Sequence, residues 1–307
     1  MKSVLVSLAV AITAAAQTSP RACDRACLNG FVDQYLAALV AHDPGKLPLA
    51  PGARYTENGV ELQLGDGMWG PVIKMLDYKL YFADPRSGNA GFFGTLEEHG
   101  HPTILGVRLK VENRRISEME TMVIRSTARG SFSDVAAMRE DPIMTQPLAR
   151  SERRSRDELI TAANAYFEGM EQATDKNTPF DPLCKRIENG VPTALDPTNT
   201  VPVRRLNCGD QFATGFTKVI TNVRERRFPL VDEERGLVLS VIRFDHNGRN
   251  KTITYNDGSI HPVNTPFDEP FSFMIFELFK VQNGNLRQIE ALVLNVPYGM
   301  PTGWVKK

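Results

Sequence analysis

The chain has 307 residues, about twice the usual domain length of roughly 150, so two domains are expected. A composition of 42% hydrophobic and 23% charged residues excludes disordered, collagen-like and coiled-coil classes. Thirty-six basic residues balance thirty-six acidic ones, which leaves no net field to draw in nucleic acid and favours a small-molecule partner.

Residues 1–16 carry Lys2, an apolar run from Val4 to Ala16 and an Ala-x-Ala ending at Ala14 and Ala16, the pattern of a cleaved signal peptide. The run falls short of the roughly 20 residues that span a bilayer, and no later segment approaches that length. Export to a periplasmic or extracellular space without stable membrane insertion is the expectation. Four cysteines follow, an even number suited to an oxidising compartment. Cys23 and Cys27 are one helical turn apart, which a disulfide can bridge, and Cys184 with Cys208 would form the second pair. Three connectivities are open and this local one is favoured; no His stands at ligand spacing from a Cys, which makes zinc the weaker alternative.

A first helix is marked by Leu28, Val32, Tyr35, Leu36 and Leu39 at helical spacing, and strands by Ile104–Val111 and Ile116–Ile124. Between them, residues 65–70 spell G-x-G-x-x-G, but Pro71 follows at once and no βαβ unit surrounds it, so a turn is expected and not a dinucleotide site. Glu97-Glu98-His99-Gly100-His101 reads as a hairpin turn before it reads as a metal site, although His99 and His246 could serve as acid–base partners. A stretch with Arg150, Arg153, Arg154 and Arg156 reads as a solvated linker, and the division is placed near residue 150. A second helix follows, with Leu159, Ala163, Tyr166, Phe167 and Met170 in phase, then strands at Leu237–Phe244, Phe271–Val281 and Leu286–Val296. Arg224, Arg226 and Arg227 beside Asp232, Glu233 and Glu234 form a mixed charge cluster, read as surface pairs or as an anchor for a substrate carboxylate. No G-x-S-x-G, P-loop or H-E-x-x-H is present.

The chain repeats itself once. Tyr35, Pro48 and Glu57-Asn58-Gly59 recur as Tyr166, Pro179 and Glu188-Asn189-Gly190 at an offset of 131. Gly65-Asp66 matches Gly209-Asp210 at 144; Asp84, Gly88 and Gly100 match Asp232, Gly236 and Gly248 at 148; Lys110-Val111, Asn113 and Glu120 match Lys280-Val281, Asn283 and Glu290 at 170. The order never scrambles, and the second copy is longer by 39 residues. Those residues are expected around Pro192–Arg224 and Asn247–Pro270. Each copy reads as a helix followed by an antiparallel sheet, an α+β fold.

A long first helix, a loop, a short strand and helix, then a curved sheet resembles the nuclear transport factor 2-like superfamily, which includes ketosteroid isomerases, scytalone dehydratase and SnoaL-type polyketide cyclases. The resemblance implies two tandem cones, residues 17–150 and 151–307, each with an apolar pocket under its helix. In the isomerases a first-helix tyrosine followed eight residues later by an acid points into the pocket; Tyr35 with Asp43 has that spacing, and Tyr166 is its match. The isomerase base lies about two dozen residues beyond the tyrosine. Glu57 and Glu188 each follow their tyrosine by 22 residues, with Asn58 and Asn189 the matched positions if the register slips by one. Glu120 and Glu290 are the candidates for the late-sheet acid of those enzymes.

A carboxylate in an apolar pocket loses solvation and becomes a usable base, and a buried phenol can donate to a developing oxyanion. The expectation is an exported, cofactor-free acid–base enzyme of the lyase, dehydratase or isomerase kind, acting on a small apolar or aromatic oxygenated molecule. The alternative is a non-catalytic module that binds a small molecule or a protein. Glu188, Tyr166, Glu57, Tyr35, His246 and His99 are the catalytic candidates; Arg186, Asn189, Arg226, Asn58 and Trp69 are the binding candidates. No metal is expected, and the oligomeric state is left open. Repetition in both copies is also what a purely structural role would produce, with Glu57-Asn58-Gly59 as a turn. The second cone is favoured because it alone carries the insertion, the Arg226 cluster and Arg186 beside Glu188.

Overall fold

Asp24 accepts the Cys27 N–H at 2.9 Å and so starts helix α1 (Arg25–Val40). The structure is a computed structural model that describes residues 23–125 and 132–304; the signal-peptide expectation lies outside the described residues. Leu28, Val32, Tyr35, Leu36 and Leu39 are buried, the stripe read from the sequence. Strands β1 (Leu49–Glu57) and β2 (Val60–Glu61) follow, then β3 (Val72–Asp84), β4 (Asn89–Glu98), β5 (His101–Glu112) and β6 (Arg115–Arg125). They form one sheet in the order β2-β1-β6-β5-β4-β3, with β1 parallel to β6 and the other pairs antiparallel.

A connection bearing the short helix α2 (Pro142–Thr145) leads to α3 (Arg156–Gln172), which opens on a capping box of Ser155 and Glu158. The plan then repeats through β7 (Phe180–Glu188), β8 (Val191–Ala194), the short helices α4 (Pro202–Arg205) and α5 (Cys208–Ala213), β9 (Asn222–Asp232) and β10 (Leu237–His246). A small hairpin of β11 (Thr252–Thr254) and β12 (Ile260–Pro262) precedes β13 (Phe271–Gln282) and β14 (Asn285–Val296). The second sheet runs β8-β7-β14-β13-β10-β9, the same topology. The α+β expectation is borne out, with two mixed six-stranded sheets.

The repeat holds at the level of single residues. Leu49 faces Ile116 and Glu57 faces Thr121 in the first sheet; Phe180 faces Leu286 and Glu188 faces Ala291 in the second, as offsets of 131 and 170 require. The extra residues of the second copy form the α4 region before α5 and the β11–β12 segment between β10 and β13. Asn113 and Asn283-Gly284 adopt the positive φ of hairpin turns. Both disulfides join the expected partners, Cys23 to Cys27 and Cys184 to Cys208, with Cα separations of 5.2 and 5.3 Å. They fit an oxidising, exported environment. No described helix is long and apolar enough to cross a membrane.

Alternation along the strands gives each sheet two buried faces. Met119 and Val123 of β6 pack under α1, and Ile289 and Val293 of β14 under α3. Met122, Ile124, Leu292 and Leu294 point the other way, into a third core where the two sheets pack face to face with Leu80, Phe82, Leu239 and Phe276. The layers are therefore helix, sheet, sheet, helix.

Reciprocal ion pairs frame that central layer. Arg25, the first residue of α1, forks onto Asp232 at the end of β9, and Arg156, the first residue of α3, reaches Asp84 at the end of β3 at 2.7 Å. Arg25 also donates to the Ala83 carbonyl, and Asp84 accepts the Val231 N–H. Each copy then sends an arm over the other. Residues 132–148 lie on the second sheet, where the Asp134 N–H donates to the Asn189 carbonyl and the Asn189 side-chain amide to the Phe132 carbonyl, both at 2.9 Å, while residues 297–304 return to the first, where Trp304 Nε1 donates to Thr56 Oγ1 at 2.8 Å. Gly59 and Gly190 allow these crossings: both have φ near +80°, and a Cβ at Gly190 would stand 2.2 Å from the Asp134 carbonyl oxygen.

Burial alone would raise the Asp84 pKa, but Arg156, Ser87 and the Val231 N–H outweigh it and hold the carboxylate below its ordinary value. Such a group contributes stability above its unfolded pKa, near about 3.9, and loses it as pH falls through the lower folded value. Asp84→Asn should therefore cost about 3 kcal/mol at neutral pH, the scale for breaking a buried pair. In urea unfolding the difference from wild type should shrink towards zero in strong acid. Thiol titration of the unfolded, unreduced protein should find no free cysteine, and reducing Cys184–Cys208 should cost about 3 kcal/mol.

Candidate functional site

The side chains beneath α3 are mostly aromatic, and a polar cluster is set among them. Tyr166 on α3 packs against Phe167, Phe180, Phe212 and Phe279 with ring centroids 5.0–6.1 Å away. Arg186 on β7 is buried below it and spends its guanidinium on four oxygens. Nη1 donates to the Tyr166 hydroxyl at 3.3 Å, Nε to Thr193 Oγ1 at 3.1 Å, Nη2 to Gln211, and Nε pairs with Glu188 at 3.0 Å. Burial disfavours the charge, but the oxygens of Tyr166 and Glu188 hold the guanidinium firmly protonated. Glu188 ends β7 with a side chain 21% exposed, so the cluster reaches the surface on that side.

Glu277 on β13 completes the cluster. It is buried, and its Oε2 has no hydrogen-bond partner among the described residues. Loss of hydration first, and the charge of Glu188 second, push its pKa up to about 8 against the pull of Arg186. The site thus holds a buried carboxyl that is protonated at neutral pH and a second carboxyl group at the rim, with a guanidinium and a phenol beside them.

The first copy differs at these positions. Offsets of 131 and 170 match Arg186 with Tyr55 and Glu277 with Val107, and the sheet registers agree: Glu277 pairs with Ala291 and Val107 with Thr121. Tyr55 donates to Glu57 Oε2 at 3.0 Å, and the same oxygen accepts the Met68 N–H at 2.7 Å, so Glu57 secures the 3-10 turn at Gly67–Trp69. Tyr35 lies edge-on to Trp69 at 5.6 Å, both buried, and among the described residues neither the hydroxyl nor the indole nitrogen has a hydrogen-bond partner. Burial, then Tyr55 and Glu57, raise the Tyr35 pKa well above its ordinary value.

Several expected site residues have other occupations. Asn58 and Asn189 are not aimed at a ligand: each has a φ near +50° and closes the end of its sheet, bonding both ways with the backbone of Val123 or Val293. They are the turn residues of the Glu-Asn-Gly motif. His99 stands in an exposed turn between β4 and β5. His246 is buried at the end of β10, stacked on Phe271 at 4.4 Å, and burial lowers its pKa to about 3, so it is neutral at physiological pH. Arg226 bonds Asn164 and Glu171 of α3 and lies over Phe167, which ties strand to helix. Glu120 and Glu290 correct a further expectation: they point into the core between the sheets, because they alternate in step with Met122 and Ile124 on β6 and with Leu292 and Leu294 on β14. Among the described residues no group of three or more metal-ligating side chains is placed to hold an ion.

Glu277 was the residue that motif reading missed. Its signal is one of pattern: Phe271, Phe273, Ile275, Phe279 and Val281 form one apolar face, and a single carboxylate interrupts it.

Residues 152–293 match the model of a domain of unknown function, DUF8021. The match runs from just before α3 into β14 and so covers the copy that holds this cluster. No curated protein matches the chain.

Glu277→Val, which installs the residue of the first copy, should keep the fold. A carboxyl whose folded pKa is raised destabilises progressively as pH climbs from its unfolded value near about 4.3 to its folded one. The variant should therefore be more stable than wild type by about 1–4 kcal/mol near pH 8 and nearly equal to it in mild acid. Urea unfolding across that range checks this; a variant weaker at every pH would make the carboxyl part of the fold.

Proposed function

We propose that the chain is an exported pair of nuclear transport factor 2-like cones divided near residue 150, and that the second cone is a cofactor-free acid–base site for a small apolar or aromatic oxygenated molecule. One observation carries this reading: Glu277 occupies a position that the first copy fills with Val107, so the shared fold does not require a buried acid there. A desolvated carboxyl with a raised pKa beside charged partners, at a place where the shared fold accepts valine, is what a working group looks like.

The roles follow from the two environments. Glu188, at the rim and held by Arg186, is the base that takes a proton from carbon next to a carbonyl. Glu277, protonated at neutral pH, is the acid that donates to the substrate oxygen as charge develops on it. Arg186 supplies a positive charge beside that oxygen, and Tyr166 a neutral hydroxyl. Proton transfer of this kind serves an isomerase, a dehydratase or a lyase alike.

Non-catalytic binding is the second reading, favoured by the aromatic rings that crowd Tyr166. Solvent deuterium exchange into a panel of aryl ketones, followed by proton NMR, separates the two. The acid–base reading expects exchange above background in wild type, a loss of roughly 100-fold in Glu188→Gln, the scale of a missing general base, and full activity in Glu57→Gln. Ligand-induced shifts with no exchange would favour the binder, and activity lost in Glu57→Gln would move the site to the first cone.

A further inference from the structure

Between the arm of residues 132–148 and the second sheet lies a cavity of about 190 Å³, outside both interiors beneath the helices. It is smaller than the roughly 300–1,000 Å³ that receives drug-sized ligands, so its occupant is small. Glu290 of β14 lines it and is buried, with Tyr78 of β3 donating to one of its oxygens. Ile187, Pro192 and Met138 supply apolar wall, and Glu140 and Asp141 of the arm add further carboxylates.

The first copy shows what this place lacks. Glu120, the match of Glu290, is bound by two guanidinium groups, Arg108 at 2.7 Å from its own sheet and Arg227 from the opposite one. Both are absent around Glu290: the cross-strand position of Arg108 is taken by Leu278, and the group arriving from the opposite sheet is the neutral phenol of Tyr78. The neighbouring place in the first copy is also filled. There the Trp304 ring lies under Arg54 and Arg108, 4.3 and 4.9 Å from its centroid, and bonds Thr56. The second-copy matches of Arg54 and Thr56 are Lys185 and Ile187, and both line the cavity.

We infer that this cavity binds a small amidinium or guanidinium compound with a planar apolar body, its cation on Glu290 and its body against Ile187, Pro192 and Met138. The ligand supplies the forked cation that the protein itself supplies to Glu120, and its flat body takes the place that Trp304 fills in the first copy. Burial pushes the Glu290 pKa up to about 7, opposed by Tyr78, so ligand binding has to draw off a proton below that pH. Facing the carboxyl are Tyr78 from β3, Arg139, Glu140 and Asp141 from the arm, and Lys185 from β7; none is a histidine.

Calorimetric titration of the full chain with benzamidine, and with neutral benzamide as its isostere, tests the assignment. Benzamidine should bind one to one, about tenfold more tightly near pH 8 than near pH 6, as expected for a site that must be ionised with a pKa about 7. Benzamide should bind at least tenfold more weakly. Glu290→Gln and the cavity-filling Ile187→Trp should each weaken benzamidine by tenfold or more, and Glu277→Gln should leave it unchanged. Equal binding of the two compounds, wild-type affinity in Glu290→Gln, or a loss confined to Glu277→Gln would overturn the assignment.

Discussion

Two sheets of the same topology share one buried layer, and the rest of the molecule is arranged around that contact. The layer is apolar at its centre, with Leu80, Phe82, Leu239 and Phe276 from the two sheets, and it is framed by Arg25 on Asp232 and Arg156 on Asp84. Residue i of one copy meets residue j of the other and the reverse also holds, which is the rule of a twofold interface, realised here within one chain. Because each helix is anchored through its first residue to the other copy's strand, neither helix–sheet unit is independent of its twin. The arms strengthen this dependence, since each covers a surface belonging to the opposite copy.

A twofold frame maintained by both copies leaves their interiors free to differ. In the first copy Tyr55, Glu57 and the Gly67–Trp69 turn bond to one another, and Val107 keeps the sheet apolar. The second has Arg186 in place of Tyr55, Glu277 in place of Val107, and α4 and α5 above them, with Gln211 of α5 bonding Arg186. Cys208 opens α5 and is bridged to Cys184 on β7, so the disulfide sits on the element that brings Gln211 to the guanidinium. Insertion, disulfide and polar cluster therefore belong to one local structure, and that structure lies within the stretch matching the domain of unknown function. The surface facing the arms diverges in the same manner, with two arginines on Glu120 and a phenol on Glu290.

Repetition made the fold legible. The offsets of 131, 148 and 170 anticipate strand register residue by residue, and both insertions fall where the offset grows. The helical stripes were equally clear, since Leu28 to Leu39 and Leu159 to Met170 each keep one apolar face. Strands β3 and β4 were less visible, because Val72–Asp84 mixes lysines and an aspartate into an irregular, bulged edge. Repetition was a poor guide to the site. What both copies share, Asn58 with Asn189 and Gly59 with Gly190, serves turns and arm crossings. What distinguishes the second copy, Glu277, has no counterpart to draw attention to it. Glu120 and Glu290 misled for a simpler reason: strand parity decides which face a residue takes, and motif spacing does not encode it.

The second copy is set apart by the buried carboxyl of Glu277, protonated at neutral pH, at the place where the first copy has Val107. Carbon-13 NMR of side-chain carboxyls in glutamate-labelled protein, titrated from acid to base, reads this directly. A carboxyl titrating at about 8 should be present in wild type and missing from a folded Glu277→Gln variant. A titration in which no resonance depends on Glu277 above the ordinary glutamate range, near about 4.3, would mean that this carboxyl is ionised at neutral pH and cannot serve as the acid of the site.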